Sequence, residues 1–112
     1  MDTTIFVKRA SSAPLRSVVD QLWEMFDDAE PVMRRVYTLG DVEVALLVFE
    51  RYYFRNGDYA SVTIQLTSHN GWQRATIVGA GGGSGLLNIS RGANEAIAAS
   101  AFKRLEEIGF SK

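Results

Sequence analysis

The chain has 112 residues, 46% of them apolar, with 12 basic and 13 acidic side chains, one histidine and no cysteine. That length fits a single domain over residues 1–112 whose core needs no staples; the missing thiols exclude disulfides and thiolate metal centres, and a net charge of -1 argues against a surface that tracks nucleic-acid phosphates. No metal site or cofactor is expected. Residues 1–7 lack the pattern of a signal peptide and no apolar run approaches the ~20 residues of a membrane span, so the expected setting is soluble and cytoplasmic, with neither nucleic-acid nor membrane partners.

In chain order, Thr3 to Arg9 sets Ile5 and Val7 against Thr4, Phe6 and Lys8, the alternation of a first strand. Ser11 or Ser12 caps a helix with Pro14 in its first turn. Leu15, Val18, Val19, Leu22, Phe26 and Ala29 form the inner stripe of that helix, widened by Trp23 and Met25; Asp20, Glu24, Asp27 and Asp28 face water, and Pro31 stops it near Glu30. Val42 to Phe54, Tyr59 to Thr67 and Trp72 to Val78 read as an antiparallel meander joined by Asn56-Gly57 and Asn70-Gly71, dipeptides of two-residue hairpin turns. Leu86 to Ile89 makes a fourth meander strand. Ser90 or Asn94 caps the last helix, whose inner stripe is Ala93, Ile97, Ala101, Leu105 and Ile108 with Phe102 beside it, and Gly109 is its left-handed cap, with Phe110 folding back on Leu105.

These elements predict an α+β fold, a two-layer sandwich of order β-α-β-β-β-β-α with both helices on one face of an antiparallel sheet. The order resembles the TATA-box-binding-protein-like or helix-grip architecture, which implies a curved sheet around a C-terminal helix and carries no function. Two-residue turns also predict the register. Across the second turn His69 faces Trp72, Leu66 faces Ala75, Ile64 faces Ile77 and Val62 faces Gly79; across the first, Leu66 faces Leu47, Ile64 faces Phe49, Val62 faces Arg51 and Ala60 faces Tyr53. The opposite sheet face carries Leu46, Val48 and Val78, an apolar patch of the kind through which proteins associate.

Half of the ten glycines fall between Gly79 and Gly85. The stretch departs from the dinucleotide-binding pattern at Ser84 and has no P-loop lysine, and Gly-Gly-Ser-Gly is not a nucleophile elbow. Two readings remain: a bulge that bends the sheet around the last helix, or a nest of backbone N–H groups for an anion or polar small molecule. Arg51 bears on the choice, because a guanidinium in the helix-covered layer needs a partner. Asp20, Glu24 or Glu95 would make an ion pair; alternatively Arg51, Gly79, Gly81, Gly82, Gly83 and Ser84 hold a ligand carboxylate or phosphate, with Arg91 adding positive potential. Tyr52, Tyr53, Phe54 and Tyr59 read as cross-strand packing rather than a base-stacking platform, since Glu50 and Asp58 interrupt the basic character of Arg51 and Arg55. His69 sits in an exposed hairpin tip with no nearby carboxylate in sequence to orient it, so no catalytic residue is assigned.

The runs Leu39-Gly40-Asp41-Val42 and Phe49-Glu50-Arg51-Tyr52-Tyr53, the stretch Gly79 to Gly85, and Asn88-Ile89-Ser90 with Gly92-Ala93 resemble a small family of bacterial proteins of unknown function. The resemblance covers about the C-terminal two thirds of the chain. It implies a bacterial, single-domain context and assigns no activity. The sequence thus supports a non-enzymatic domain that binds a small polar or anionic ligand, or a protein partner, near the glycine stretch; the alternative is a structural protein that forms a homodimer through Leu46, Val48 and Val78.

Overall fold

The computed structural model describes residues 3–53, 58–81 and 90–112. Its elements run β1 (Thr3–Ala10), α1 (Leu15–Met25), β2 (Glu30–Leu39), β3 (Val42–Tyr53), β4 (Asp58–His69), β5 (Trp72–Ala80) and α2 (Ser90–Glu107). The strands form one open antiparallel sheet ordered β1-β5-β4-β3-β2. Both helices lie on one face, α2 over β4, β5 and β1 and α1 mainly over β3. This is the expected α+β fold with the expected element string.

One member of that string is a different segment. Residues 30–39, where the sequence pattern predicts no strand, form β2, an edge strand whose residues are exposed apart from half-buried Val36 and Tyr37. A strand that buries neither face has no period-two alternation to betray it. Pro31 does not stop a helix; it sits beside a register shift between Pro31 and Met33 on the sheet edge, where a missing N–H breaks no inner ladder. Consequently α1 ends at Met25, and Asp27, Asp28 and Ala29 lie in the connection to β2. The strand expected at Leu86 to Ile89 lies outside the described residues.

The core follows from alternation. Ala45, Leu47 and Phe49 of β3, Ala60, Val62, Ile64 and Leu66 of β4, and Ala75 and Ile77 of β5 are all buried on the helix side, meeting Leu15, Val18, Val19 and Leu22 of α1 and Ala93, Ile97, Ala98, Ala101 and Leu105 of α2. Phe49 stacks on Phe26 with centroids 4.1 Å apart and meets Trp23 at 5.2 Å.

Turn and cap chemistry divides in the same way. Asn70 and Gly71 both have positive φ, 52° and 78°, the two-residue turn that fixes β4 on β5 in the expected register. Between β3 and β4 the register is offset by two residues: Phe49 faces Val62 and Arg51 faces Ala60, and residues 54–57 separate Tyr53 from its mate Asp58. A slip of two preserves every side chain's face, whereas a slip of one inverts it. Gly109, φ 102°, ends α2; its N–H donates to Glu106 O and that of Phe110 to Leu105 O, both at 3.0 Å, the paired bonds of a glycine-capped helix end. No serine caps α1. Pro14 holds the N-cap position and the Leu15 N–H donates to Glu43 Oε1 of β3 at 3.2 Å. Asn94 is buried within α2, inside the helix rather than at its cap.

Candidate functional site

The glycine-lined crease can be judged at its described residues. Gly79 is buried in β5 beneath α2, and a Cβ added there would stand 2.3 Å from Asn94 O and 2.9 Å from Ala98 Cβ. The helix backbone therefore occupies the space above this glycine. Gly81 adopts φ +118° at an exposed position beside Ser61, a conformation that glycine takes without strain. Gly82, Gly83 and Ser84 lie outside the described residues, as does the side chain of Arg91.

Arg51 projects on the helix side, but the two-residue offset sets it opposite Ala60 and puts Phe49 in the row of Val62 and Gly79. Its guanidinium donates to Asp28 Oδ2 at 3.0 Å, with both side chains near 40% exposed. Asp28 is not among the acids considered from sequence. Asp28 became available because α1 stops early, and no helical periodicity marks a residue in a connection. The other oxygen of Asp28 accepts from Arg104 Nη2 at 2.7 Å. Arg104 in turn donates to Met25 O at 2.9 Å, closing the end of α1, and lies over the Phe26 ring, 4.5 Å from its centroid. Beside it opens a surface cavity of about 420 Å³ lined by Met25, Ser100, Lys103, Arg104 and Glu107. One carboxylate thus holds two guanidinium groups where α1, β3 and α2 meet.

Two further polar constellations escaped sequence reasoning. Gln73 is fully buried; it accepts from Arg9 Nε at 2.7 Å and donates to Ala13 O at 2.8 Å, while Arg9 also donates to Ile108 O and stacks on Phe110. This network ties β1, β5, the approach to α1 and the end of α2. The signal was the counted register, which already sets Gln73 on the inner face. His69 does have an orienting carboxylate, since the turn after β2 brings Asp41 Oδ2 to 3.1 Å from its Nε2. The hydrogen bond from His69 holds the Asp41 carboxyl below the usual carboxylate range. Both groups are open to solvent, so the pair lacks the enclosure that gives a histidine catalytic leverage.

The opposite face of the sheet has no helix among the described residues. Leu46, Val48 and Val78 are half-buried there, and around them Phe6 (69% exposed), Met33, Leu39, Tyr52, Tyr59 and Trp72 (43%) present large apolar side chains to solvent. Tyr52 and Tyr59, opposite each other, meet edge-on at 5.0 Å. β2 contributes two of these residues, which is why the sequence reading drew the patch too small.

Residues 18–109, from within α1 to the glycine turn after α2, match the family model described as a family of unknown function, DUF6054. The chain belongs to that family. Membership brings no activity, because the family has none assigned, and no curated protein matches the sequence. Among solved structures, the chain is similar to LpqN of Mycobacterium tuberculosis, a protein involved in cell envelope biogenesis, with 11% identity and a TM-score of 0.43 over 70% of this chain and 49% of that one. The chain thus spans about half the length of LpqN. It is also similar to TTHA0849 of Thermus thermophilus, with 16% identity, a TM-score of 0.33 and coverage of 94% and 95%. The Mll3558 protein of Rhizobium loti has 13% identity, a TM-score of 0.36 and coverage of 94% and 95%. None of these likenesses assigns a role to a residue of this family member. Among its described residues no helix is long and apolar enough to cross a membrane.

Proposed function

We propose that the chain acts as a self-associating module whose working surface is the helix-free face of the sheet, where a second copy docks. The observation that carries this reading is the extent of that face: a half-buried centre of Leu46, Val48 and Val78 continued outward by exposed aromatic and aliphatic side chains on all five strands. A face that gathers this many large apolar side chains among threonines and charges has the make-up of an association site, whereas isolated exposed apolar residues need no role. Sedimentation velocity tests it. The chain is expected to sediment as a dimer and Val48→Glu as a folded monomer with an unchanged circular dichroism spectrum; a wild-type chain that stays monomeric at millimolar concentration overturns the reading.

A second reading is favoured by Asp28. Because it holds Arg51 and Arg104 together at partly open positions, a small anion entering beside Gly81 would meet two guanidinium groups already desolvated on one side. Inorganic phosphate or citrate should then raise the melting temperature by mass action, and Arg51→Ala should abolish the rise while leaving the fold intact. An equal rise in the variant counts against it.

A further inference from the structure

The helix-free face carries two cross-strand pairs of like charge. Lys8 stands opposite Arg74 where β1 meets β5, and Glu30 stands opposite Glu50 where β2 meets β3. Like charges directly opposed on one face repel, and among the described residues none of the four has an ion-pair partner. The pairs occupy diagonal corners. Lys8 and Arg74 lie towards the Ala10–Trp72 end on the β1 side, and the two glutamates towards the far end on the β2 side. At the basic corner a recess of about 310 Å³ between β1 and β5 is lined by Phe6, Val7, Lys8, Arg74, Ala75, Thr76 and Lys112, with Lys8 and Arg74 on the helix-free side and the Lys112 ammonium over Phe102.

We infer that the two copies stack face to face with their strands crossing at roughly 90°, so that Lys8 and Arg74 of each copy meet Glu30 and Glu50 of the other. This rests on the self-association reading above. The register selects the orientation. Taking neighbouring strands about 4.8 Å apart and successive same-face residues about 6.8 Å apart, the midpoint from Lys8 to Glu30 and that from Arg74 to Glu50 coincide, on β4 between Thr63 and Gln65. A two-fold axis between the sheets passes through that point. Run along the strands, it sets Lys8 over Tyr37 and Arg74 over Val44; run across them, it sets Arg74 over Ala80 and Glu50 over Val44. Both leave Arg74 roughly 10 Å or more from either glutamate of the other copy, over apolar side chains or bare backbone. The diagonal axis instead sets Lys8 over Glu30, with Arg74 over Met33 and Glu50 over Phe6 but each only about 5 Å from an opposite charge; it brings Leu46 and Val78 close to their own symmetry mates, and sets Val48 near Thr76 of the second copy. An acidic side chain of one copy then enters the basic recess of the other.

Zero-length carbodiimide cross-linking of mixed light- and heavy-nitrogen copies, read by mass spectrometry, tests this geometry. Lys8 and Glu30 are roughly 28 Å apart within one copy by the same spacings, so a link between them joins two copies. Mixed-isotope Lys8–Glu30 or Lys8–Glu50 peptides are expected. Reversing the basic corner, Lys8→Glu with Arg74→Glu, should weaken the dimer about tenfold or more, and mixing that variant with Glu30→Lys, Glu50→Lys should restore association as a heterodimer. A wild-type dimer dissolved by Val48→Glu yet indifferent to these reversals, with no such cross-link, overturns the crossed arrangement and leaves self-association standing. A monomeric wild type overturns both.

Discussion

The two faces of one sheet use the same strands for opposite ends. On the helix side the central residues of β3, β4 and β5 are small or apolar and sealed from water, and polar members around them are tied down: Gln73 by Arg9 and Ala13, Arg51 by Asp28, and Arg104 of α2 by Met25 and Asp28. On the other side the same backbone presents threonines, opposed like charges and aromatic rings with no covering helix among the described residues. A residue on the first face is therefore held by packing, and one on the second by whatever the face meets. Stability and association should separate between adjacent residues of a single strand.

Phe49 and Val48 break that comparison most directly. Phe49→Ala should cost about 3–5 kcal/mol in chemical denaturation, because it removes a fully buried ring from between Phe26 and Trp23. Val48→Thr on the bare face should stay within about 0.5 kcal/mol under monomeric conditions. Equal losses would mean that both faces are core. Gly79→Ala comes next. Its Cβ would meet the backbone oxygen of Asn94, so α2 must lift from β5, with an expected loss of about 1–3 kcal/mol and faster amide exchange in α2 than in α1; an unchanged melting temperature would show that the helix gives way freely. The smallest effect concerns His69. His69→Ala should move the Asp41 carboxyl, followed by NMR titration, upward toward the ordinary carboxylate range, with the backbone hydrogen bond at Asp41 keeping part of the depression. Since its folded pKa is depressed, the Asp41 contribution to stability is present above that range and lost as pH falls through the folded value. A titration curve identical in the variant would mean that the pair does not persist in solution.

Legibility tracked burial. The β4–β5 hairpin could be read to the residue, because Asn70-Gly71 tolerates one turn geometry and alternation fixes the face. The Gly109 cap and the α2 stripe were readable for the same reason, each local residue type having one good structural use. What failed was what local chemistry leaves open. Residues 30–39 bury neither face and so carry no strand period, and the first hairpin's offset moves whole rows by two without changing any residue's side, which a face pattern cannot detect. Of the candidate site, Arg51 was placed in the right layer with the wrong neighbours, and Asp28 was assigned to a helix that had already ended.

Alternating apolar residues, two helical stripes and glycine turns thus determined by themselves an α+β sandwich with one covered and one open face, since side-chain period dictates what each element can bury. Only the tertiary structure decided that Asp28 joins Arg51 to Arg104, that α2 closes over Gly79, and that β2 completes the open face with acids diagonal to bases. Those relations join residues far apart in the chain, and they arise from how whole elements dock against one another.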